Sequence, residues 1–425
     1  MSHNFARIGA HALVGAAANY ARADAATPGA LLARTPHATS ITVEVATSAR
    51  LAALQADWQD LSARADAANI FMHPTILRIA AESYPEHQCR ALLAWHDTDA
   101  GAPCLAGIWA FAISRAPQSL LPVSVLTAPP MPNAYLSTPV IDRDRLDDVL
   151  DAMLKYIAAD DSLPKIVALD AMSAGIPTMQ ALLRVLAARG SMPCVFGRSL
   201  RPKLASDLDG KAYLEKALSS STRKKLRQHR RRLAEKGSLQ SRILTDVGSV
   251  RHAFEEFLAL EAAGWKGRQG TALFSHEADA HFARTMIAAL AAQGEVAVHT
   301  LALDERPVSM QIVLRAGSAA FTWKTAYDEA LHDVSPGMLL LEDYTAALLA
   351  DAGVSYVDSC AFDDTGYMAA WTERAAIAQV WFDARRGGSL VFTILTRLQK
   401  AYLALRRGAK AIYHNLRQRK ARWRP

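Results

Sequence analysis

The stretch from Leu301 to Trp371 restricts the possible folds of this chain more than any other part of its sequence. Two strand-like runs are followed by Ser335-Pro336-Gly337, a helix-like run and a further strand-like run. A helix that begins at a turn of small residues, between two strands, can hold an anion on its free backbone N–H groups. The order therefore predicts a nucleotide or coenzyme phosphate site, and it favours a transferase over a scaffold.

The length and composition predict a globular protein with two domains. The chain has 425 residues, which is more than one ordinary core supports. Apolar residues make up 51% and charged residues 21%, so we exclude a disordered chain. No apolar run reaches the roughly 18–20 residues that a membrane-spanning helix needs.

The first residues and the cysteines indicate a cytoplasmic protein. Residues 1–38 are rich in Ala, Gly and Thr and lack the continuous apolar segment of a signal peptide, so we predict a flexible leader. The four cysteines have neither the Cys-x-x-Cys nor the Cys/His spacing of a metal site. We therefore expect reduced thiols, no bound metal and a cytoplasmic location.

Strand-like and helix-like runs alternate along the chain in two similar series. Each series has a strand, two helices, several antiparallel strands, a helix and a strand, and a Pro-rich loop at 128–139 interrupts the first. A long basic helix, predicted from Asp209 to Lys236, precedes the second. We predict an α/β fold with two similar domains, at residues 39–204 and 205–384, followed by a helical tail at 385–425.

The tail is apolar along one side and basic elsewhere. It contains twelve Arg and Lys and no Asp or Glu, so without it the formal net charge falls from +7 to −5. An amphipathic helix of this kind suits an anionic membrane surface. It also suits packing on its own protein with a solvated basic face, or contact with nucleic acid, although we expect no specific DNA binding. Apolar residues recur every three or four positions at Val391, Leu395, Leu398, Tyr402, Leu405, Ala409, Ile412 and Leu416.

Three segments of the second half carry a resemblance to a known family: Arg223 to Gly237, Glu261 with Gly264-Trp265-Lys266-Gly267 and Gly270-Thr271-Ala272, and Lys324 to Glu329 with Ser335-Pro336-Gly337. They resemble the GNAT acyltransferases and, within that superfamily, the CelD/BcsL-like acetyltransferases of polysaccharide biosynthesis. The resemblance extends loosely to the first half and implies that both predicted domains are GNAT-like. The fold is also similar to Fem-type transferases, which use aminoacyl-tRNA and are built from two such domains.

The resemblance implies that acetyl-CoA, or another acyl-CoA, is the donor. Its pyrophosphate would lie on the backbone of Ser335, Gly337 and Met338. In this chain only one glycine of the family's phosphate loop remains, and Pro336 supplies no N–H donor. The alternative interpretation is that Ser335 simply caps the helix and Pro336 is its first residue.

Acyl transfer to an amine or hydroxyl requires a group that removes a proton from the acceptor. The acidic and basic residues of the matching segments are the candidates, and we prefer Glu261 and Asp328 because both lie where donor and acceptor would meet. Tyr367 is predicted to act as an acid or to stabilise an oxyanion. The family pattern has a Lys at position 368, where this chain has Met368. The full set of candidate proton acceptors is Glu261, Asp328, Glu329, His332 and Asp358.

The acceptor is predicted to contact a Gly-rich loop and the strand before the phosphate turn. Trp265, Lys266 and Arg268 stand in that loop, where Trp265 either stacks on a sugar ring or fills an apolar space. Lys324 and Tyr327 stand in the strand. The run from Arg223 to Arg232 contains seven Arg and Lys, which predicts a solvated face or contact with an acidic ligand.

The sequence therefore predicts an acyltransferase that moves an acetyl or other acyl group from coenzyme A to an amino or hydroxyl group. The resemblance implies a carbohydrate-type or cell-envelope precursor as acceptor. One interpretation of the basic tail at 385–425 is peripheral attachment to the inner face of the membrane. One alternative is a Fem-like aminoacyl transferase. Another is a non-catalytic, membrane-associated accessory protein of polysaccharide synthesis or export.

Overall fold

The computed structural model of the protein describes residues 41–98, 101–117 and 121–422, with side chains as far as residue 409. The leader predicted at 1–38 lies outside the described residues. The strands are β1 Ile41–Ala46, β2 Arg90–His96, β3 Cys104–Arg115, β4 Ser124–Thr127, β5 Val140–Ile141, β6 Ile166–Ser173, β7 Cys194–Leu204, β8 Leu239–Leu244, β9 Val296–Leu303, β10 Arg306–Ala316, β11 Ala319–Tyr327, β12 Tyr356–Asp358 and β13 Glu373–Asp383.

Helices cover both faces of the sheet that these strands form. Single 3₁₀ turns occupy Ile70–Met72, Pro85–His87, Leu273–Ser275, Glu329–Val334 and Tyr367–Ala370. The helices are α1 Ser48–Leu51, α2 Gln55–Arg64, α3 Pro74–Ser83, α4 Leu146–Ala159, α5 Pro177–Ala188, α6 Gly210–Ala217, α7 Ser220–Ala234, α8 Val247–Ala263, α9 Trp265–Arg268, α10 Glu277–Ala292, α11 Pro336–Ala350 and α12 Leu390–Arg422.

The strands of the described chain form one continuous mixed sheet whose two ends repeat the same topology. Its order is β1-β2-β3-β4-β6-β13-β7-β12-β11-β10-β9-β8, with β5 paired to β3. In the first half, β1 to β4 are antiparallel neighbours and β6 is parallel to β4. In the second half, β8 to β11 are antiparallel neighbours and β12 is parallel to β11. The predicted mixed α/β fold with two similar halves is confirmed.

Each half contributes its last strand to the other half. β7 comes from the first half and pairs with β12 of the second, while β13 comes from the second half and pairs with β6 of the first. β7 and β13 also pair with each other in the middle of the sheet. The predicted domain boundary at 204/205 falls directly after β7. This exchange makes the sheet continuous.

Helices of the two halves share one apolar core on one face of the sheet. Trp58 and Ile76 of the first half belong to the same buried cluster as Phe257 and Phe282 of the second. Polar contacts also cross between the halves, because the Tyr84 hydroxyl donates to Asp279 at 2.7 Å. Since both halves supply this core, residues of the first half can reach a site in the second.

Two predicted elements differ from the structure. The predicted basic helix from Asp209 to Lys236 is two helices, α6 and α7, because Leu218 is extended and the Ser219 side chain accepts the Thr222 N–H as a new N-cap. A run of hydroxyl side chains competes with helical backbone bonds in this way. The predictions also missed β7, whose charged residues and Pro202 hide its strand pattern.

The predicted apolar stripe of α12 is divided between the body and the surface. Leu395 packs into the body with Phe392, whereas Val391, Leu398, Tyr402 and Leu405 are exposed. The predicted positions Ile412 and Leu416 lie beyond the described side chains. A search of the described helices finds none long and apolar enough to cross a membrane.

Candidate functional site

A wedge opens in the sheet of the second half where β11 and β12 separate. The two strands pair in parallel only through Ala319, Ala320 and Phe321 of β11, although β11 continues to Tyr327. Beyond that point β12 ends and its own other edge pairs with β7. Among the described residues, the remaining part of β11 has no strand partner on that edge, and its last residue, Tyr327, lies beside Gly337 at the start of α11. The backbone there can receive a ligand.

A β-bulge in β11 directs Lys324 into the site. Ile312 of β10 pairs with Lys324 and the next residue, Val313, pairs with Thr322, so Trp323 is an extra residue. Side chains of a regular strand alternate between its faces, and a bulge shifts that alternation by one residue. As a result Lys324 lies on the same side as the buried Phe321 and meets helix α8.

Glu261 lies between two ammonium groups at the end of α8. Its carboxylate is 2.9 Å from Lys324 Nζ and 3.1 Å from Lys266 Nζ, and it also accepts the Leu273 N–H at 2.9 Å. Glu261 is 3% exposed and Lys324 is 6% exposed, so water contributes little to either charge. The three side chains carry one net positive charge when all are ionised.

Burial and mutual charge shift the pKa values of this cluster. Burial alone raises the pKa of Glu261, but the charges of Lys324 and Lys266 outweigh it and hold the pKa below its usual value. Burial lowers the pKa of Lys324 to about 8, with Glu261 opposing the fall and Lys266 adding to it. Lys324 therefore exchanges its proton near neutral pH, whereas Glu261 stays ionised.

The Gly-Trp-Lys-Gly loop forms the short helix α9, which holds Lys266 in place. The backbone carbonyl of Lys266 accepts the Thr271 N–H at 2.8 Å, and its Nζ donates to the Thr325 carbonyl at 2.9 Å. A Cβ at Gly267 would lie 1.8 Å from the Ala262 carbonyl oxygen, so only glycine fits there. The loop is thus built to bring its lysine to the free part of β11.

Glu329 holds the other side of the same loop. Its carboxylate accepts the Trp265 N–H and pairs with the Arg268 guanidinium. Trp265 is partly exposed, and Arg268 faces solvent at the loop surface. Both acceptor oxygens of Glu329 are occupied by these contacts, which gives Glu329 a structural role.

Tyr367 approaches β11 from the opposite face. Its hydroxyl hydrogen-bonds the side chains of Thr325 and Tyr344, and burial raises its pKa while those bonds partly oppose the rise. The residue as a whole is 36% exposed. Met368 is buried beneath α11, where its sulfur accepts from the Tyr344 hydroxyl at 3.3 Å.

The start of α11 offers fewer free N–H groups than an ordinary helix start. Ser335 is the N-cap residue and Pro336 the first helical residue, as the alternative interpretation expected, but Ser335 has a φ of 48° and its side chain makes no capping bond. Its carbonyl accepts the N–H groups of Met338 at 3.0 Å and Leu339 at 3.3 Å. Gly337 is the second residue of α11, where a backbone N–H has no partner within its own helix, and a Cβ there would lie 3.8 Å from the partly exposed Tyr327 ring.

Helix α7 places positive charge beside that turn. Leu226 and His229 are buried towards α11, and Arg230 donates to the Leu339 carbonyl and pairs with Asp343 at 2.6 Å. Burial and the charge of Lys225 lower the pKa of His229. Its imidazole is therefore neutral at neutral pH and adds no positive charge to the helix. The outward face carries the exposed cations Lys224, Lys225, Arg227, Arg231 and Arg232.

The first half also reaches the site, which the sequence analysis did not predict. Tyr135, from the Pro-rich loop, packs edge-on against Phe362 with ring centroids 5.6 Å apart. Burial raises the pKa of Tyr135, and the charges of Glu261 and Tyr367 are near enough to add to the rise. The Trp323 indole donates to the backbone carbonyl of residue 133, which joins the loop to β11 at 3.1 Å.

The predicted site residues thus divide into two groups. The structure brings together Glu261, Lys266 and Lys324, and it places Tyr367 at the neighbouring residue of β11. It does not join Asp328 to them, because that carboxylate caps the 3₁₀ turn through the Ala330 N–H and pairs with Arg306 at 3.1 Å. The catalytic roles assigned to Glu261, Asp328 and Tyr367 stay predictions.

The two other candidate proton acceptors have different surroundings. Asp358 is buried and ion-paired with Arg201, so it joins β12 to β7. His332 is exposed and pairs with its neighbour Asp333. Among the described residues, no group of His, Cys, Asp and Glu is arranged to hold a metal ion.

Comparisons with known proteins agree with this geometry. Residues 220–367 match the acetyltransferase (GNAT) domain family. The comparison with curated proteins found no significant match. In the solved structures, the chain is similar to FemX, with a TM-score of 0.54 and 12% identity over 80% of this chain and 96% of that one.

Two other solved structures are more distant in geometry. One is the C-terminal domain of a putative lysylphosphatidylglycerol synthetase from Agrobacterium fabrum, with a TM-score of 0.47 and 14% identity over 79% of this chain and 92% of that one. The other is a tandem GNAT protein from the clavulanic acid biosynthesis pathway, with a TM-score of 0.38 and 11% identity over 81% and 99%. Residues 220–367 therefore match a GNAT-type acetyltransferase domain, and over 80% of its length the chain has a fold similar to that of FemX.

Proposed function

We propose that this protein transfers an acetyl or other acyl group from coenzyme A to an amino or hydroxyl group of a polysaccharide or cell-envelope precursor. The observation that carries the proposal is the buried Lys324, whose pKa is lowered to about 8, at the free part of β11 in a GNAT-type domain. The class of acceptor is inferred from the resemblance to CelD/BcsL-like acetyltransferases alone.

The donor would lie in the wedge, with its thioester beside β11 and its phosphates at the start of α11. Gly337 offers a backbone N–H there, and its lack of a side chain leaves room for close approach. The exposed cations of α7 add a favourable field for a polyanionic donor. When bound, coenzyme A supplies the acyl group as a thioester.

The acceptor would approach from the side of α8 and α9. Trp265 lies at that side on α9, and Tyr135 and Phe362 provide further aromatic surface, of which Phe362 is 63% exposed. Aromatic rings with a polar edge suit the apolar faces and hydroxyl groups of a sugar. In such a complex the reacting group of the acceptor would lie next to Lys324, which shares the Glu261 carboxylate with Lys266.

Proton transfer is assigned to residues on the two faces of β11. Neutral Lys324 accepts the proton of the acceptor hydroxyl or amine as the acyl carbon bonds to the acceptor oxygen or nitrogen. The bond from the acyl carbon to sulfur breaks, and the Tyr367 hydroxyl gives a proton to the leaving sulfur. Since Lys324 and Thr325 are consecutive, Lys324 and the Tyr367 hydroxyl act from opposite sides of one strand.

Lys324 suits the role of proton acceptor better than Glu261. The Glu261 carboxylate already faces two ammonium groups and a backbone N–H, and its pKa is lowered, so it binds a proton weakly. A general base works best when its pKa is near the operating pH. Glu261 then acts through Lys324, by orienting its ammonium group and moderating the fall of its pKa.

A Fem-like aminoacyl transfer is the second candidate. Pro336 has no N–H, and the N–H groups of Met338 and Leu339 already donate to the Ser335 carbonyl, so few N–H groups remain for a pyrophosphate. Helix α7, in contrast, presents five exposed cations. A larger polyanion, such as a charged tRNA, would use that helix more than the helix start. The two candidates differ in whether acetyl-CoA binds.

Isothermal titration calorimetry with acetyl-CoA tests the proposal. We expect saturable binding by the full chain and at least tenfold weaker binding by Gly337→Leu, because a Leu side chain would cover the Gly337 N–H. A Cβ at Gly337 meets only the Tyr327 ring at 3.8 Å, so the fold should tolerate the change. Gly175→Leu is the matched control, since a Cβ there meets nothing within 4 Å.

Failure to detect acetyl-CoA binding would contradict the proposal. Binding of aminoacyl-tRNA in its place, weakened by Arg227→Gln and Arg231→Gln, would support the second candidate. If neither donor binds, a non-catalytic accessory role is the remaining interpretation.

A further inference from the structure

Helix α12 is the longest helix of the described chain and has one face packed on the body and a separate, exposed apolar face. One face packs on the body through Phe392, Leu395, Thr396 and Gln399, all of which are buried. Leu395 is fully enclosed in a cluster that includes Trp381 of β13. This contact fixes the rotation of the helix about its own axis.

The exposed apolar face points away from the body. At 100° per residue, its six side chains fall within an arc of about 120°, roughly a third of the helix circumference. Two of them, Leu390 and Leu405, are each 75% exposed, and every side chain from 404 to 409 is exposed. The face consists of Leu390, Val391, Ile394, Leu398, Tyr402 and Leu405, none of them less than 41% exposed.

The charges around this face are all positive. Arg397 and Arg406 lie about 20° and 40° beyond the two edges of the arc, and Lys400 and Arg407 lie further round. The sequence has no Asp or Glu after Asp383. Two copies of such a helix would repel each other, which argues against pairing with a second copy of this chain.

We propose that this face of α12 lies on the anionic surface of a lipid bilayer. An exposed apolar arc of this size is unusual on a soluble protein unless it binds something. Apolar side chains would enter the boundary between headgroups and acyl chains, while the flanking cations contact anionic headgroups. The proposal is independent of the acyltransfer reaction, because it uses residues of α12 alone.

Vesicle flotation of the full chain tests the proposal. We expect binding to vesicles of phosphatidylglycerol and phosphatidylcholine that falls at high salt, and little binding to phosphatidylcholine alone. The double variant Ile394→Ser/Leu398→Ser removes apolar surface from the face and should lower vesicle partitioning on the order of tenfold. Arg397→Gln/Lys400→Gln should lower it to a similar extent and weaken the salt dependence.

The matched control is Leu183→Ser/Met192→Ser, which removes two exposed apolar side chains elsewhere on the molecule. It should bind vesicles like the unaltered protein, and thermal unfolding should show that all variants are folded. Absent binding, or binding that ignores both salt and lipid charge, overturns the proposal. So does a protein that is dimeric by light scattering and becomes monomeric in Ile394→Ser/Leu398→Ser, since the face is then a contact between copies.

Discussion

At the scale of single residues, Glu261 determines whether the site can hold two lysines. Its carboxylate is buried between Lys324 and Lys266, and removing one partner of a buried charge cluster leaves the others uncompensated. In Glu261→Gln two ammonium groups would face each other across a neutral amide. In Lys324→Met the pair between Glu261 and Lys266 would remain.

We therefore predict that Glu261→Gln costs about 3–5 kcal/mol of unfolding free energy, and Lys324→Met about 1 kcal/mol. Urea unfolding monitored by circular dichroism measures both. Glu255→Gln is the matched control, because it makes the same change on α8 at a surface ion pair with Arg284. Equal losses for Glu261→Gln and Lys324→Met would show that the cluster does not depend on its carboxylate.

Each residue of the Glu261, Lys266 and Lys324 cluster could be predicted from the sequence, but the contact between them could not. The sequence analysis indicated Glu261 as a catalytic residue, and Lys266 and Lys324 as residues that contact the acyl acceptor. Their contact depends on the bulge at Trp323, which is a property of strand pairing and leaves no pattern in the sequence. Asp328 follows the same strand and yet caps a turn, since it lies beyond the end of that bulged segment.

At the scale of elements, the turn between α8 and α9 sets the position of Lys266. A Cβ at Gly267 would meet the Ala262 carbonyl oxygen at 1.8 Å, and that carbonyl belongs to rigid helix backbone. We predict that Gly267→Ala lowers the unfolding free energy by about 1–3 kcal/mol and weakens acyl transfer, because Lys266 must move. Differential scanning calorimetry and an assay of thiol release from acetyl-CoA measure the two effects.

Gly248→Ala is the matched control for this element. Gly248 lies in the first turn of α8, where a Cβ would meet only the Asp246 carboxylate at 3.5 Å. There the change should be neutral or stabilise the helix by up to about 1 kcal/mol. A Gly267→Ala protein as stable and active as the control would refute the steric argument.

The elements that sequence patterns identified are those with strong local signals. Strand β1 alternates, and helix α11 begins with Pro336, as the alternative interpretation of that turn expected. The break between α6 and α7 was missed because Ser219 acts as a cap only when the chain turns there. Strand β7 was missed because its place between β12 and β13 comes from tertiary pairing.

At the scale of the whole molecule, the two halves form one sheet and one composite site. The repeated order of strands and helices was visible in the sequence, but the exchange of β7 and β13 was not, because it joins residues far apart in the chain. That exchange, with the ion pair of Arg201 and Asp358, holds the first half against the wedge. It explains how Tyr135 reaches a site whose other members lie beyond residue 260.

The pH dependence of enzyme-catalysed thiol release from acetyl-CoA tests the central claim, that Lys324 accepts the proton of the acceptor. With a pKa of about 8, Lys324 loses its proton as the pH rises, so the rate of the unaltered protein should increase through that pH. Lys266→Met removes a charge that lowers this pKa, so the rising limb should move to higher pH. A limb that stays in place in Lys266→Met, or full activity of Lys324→Met, would contradict the account.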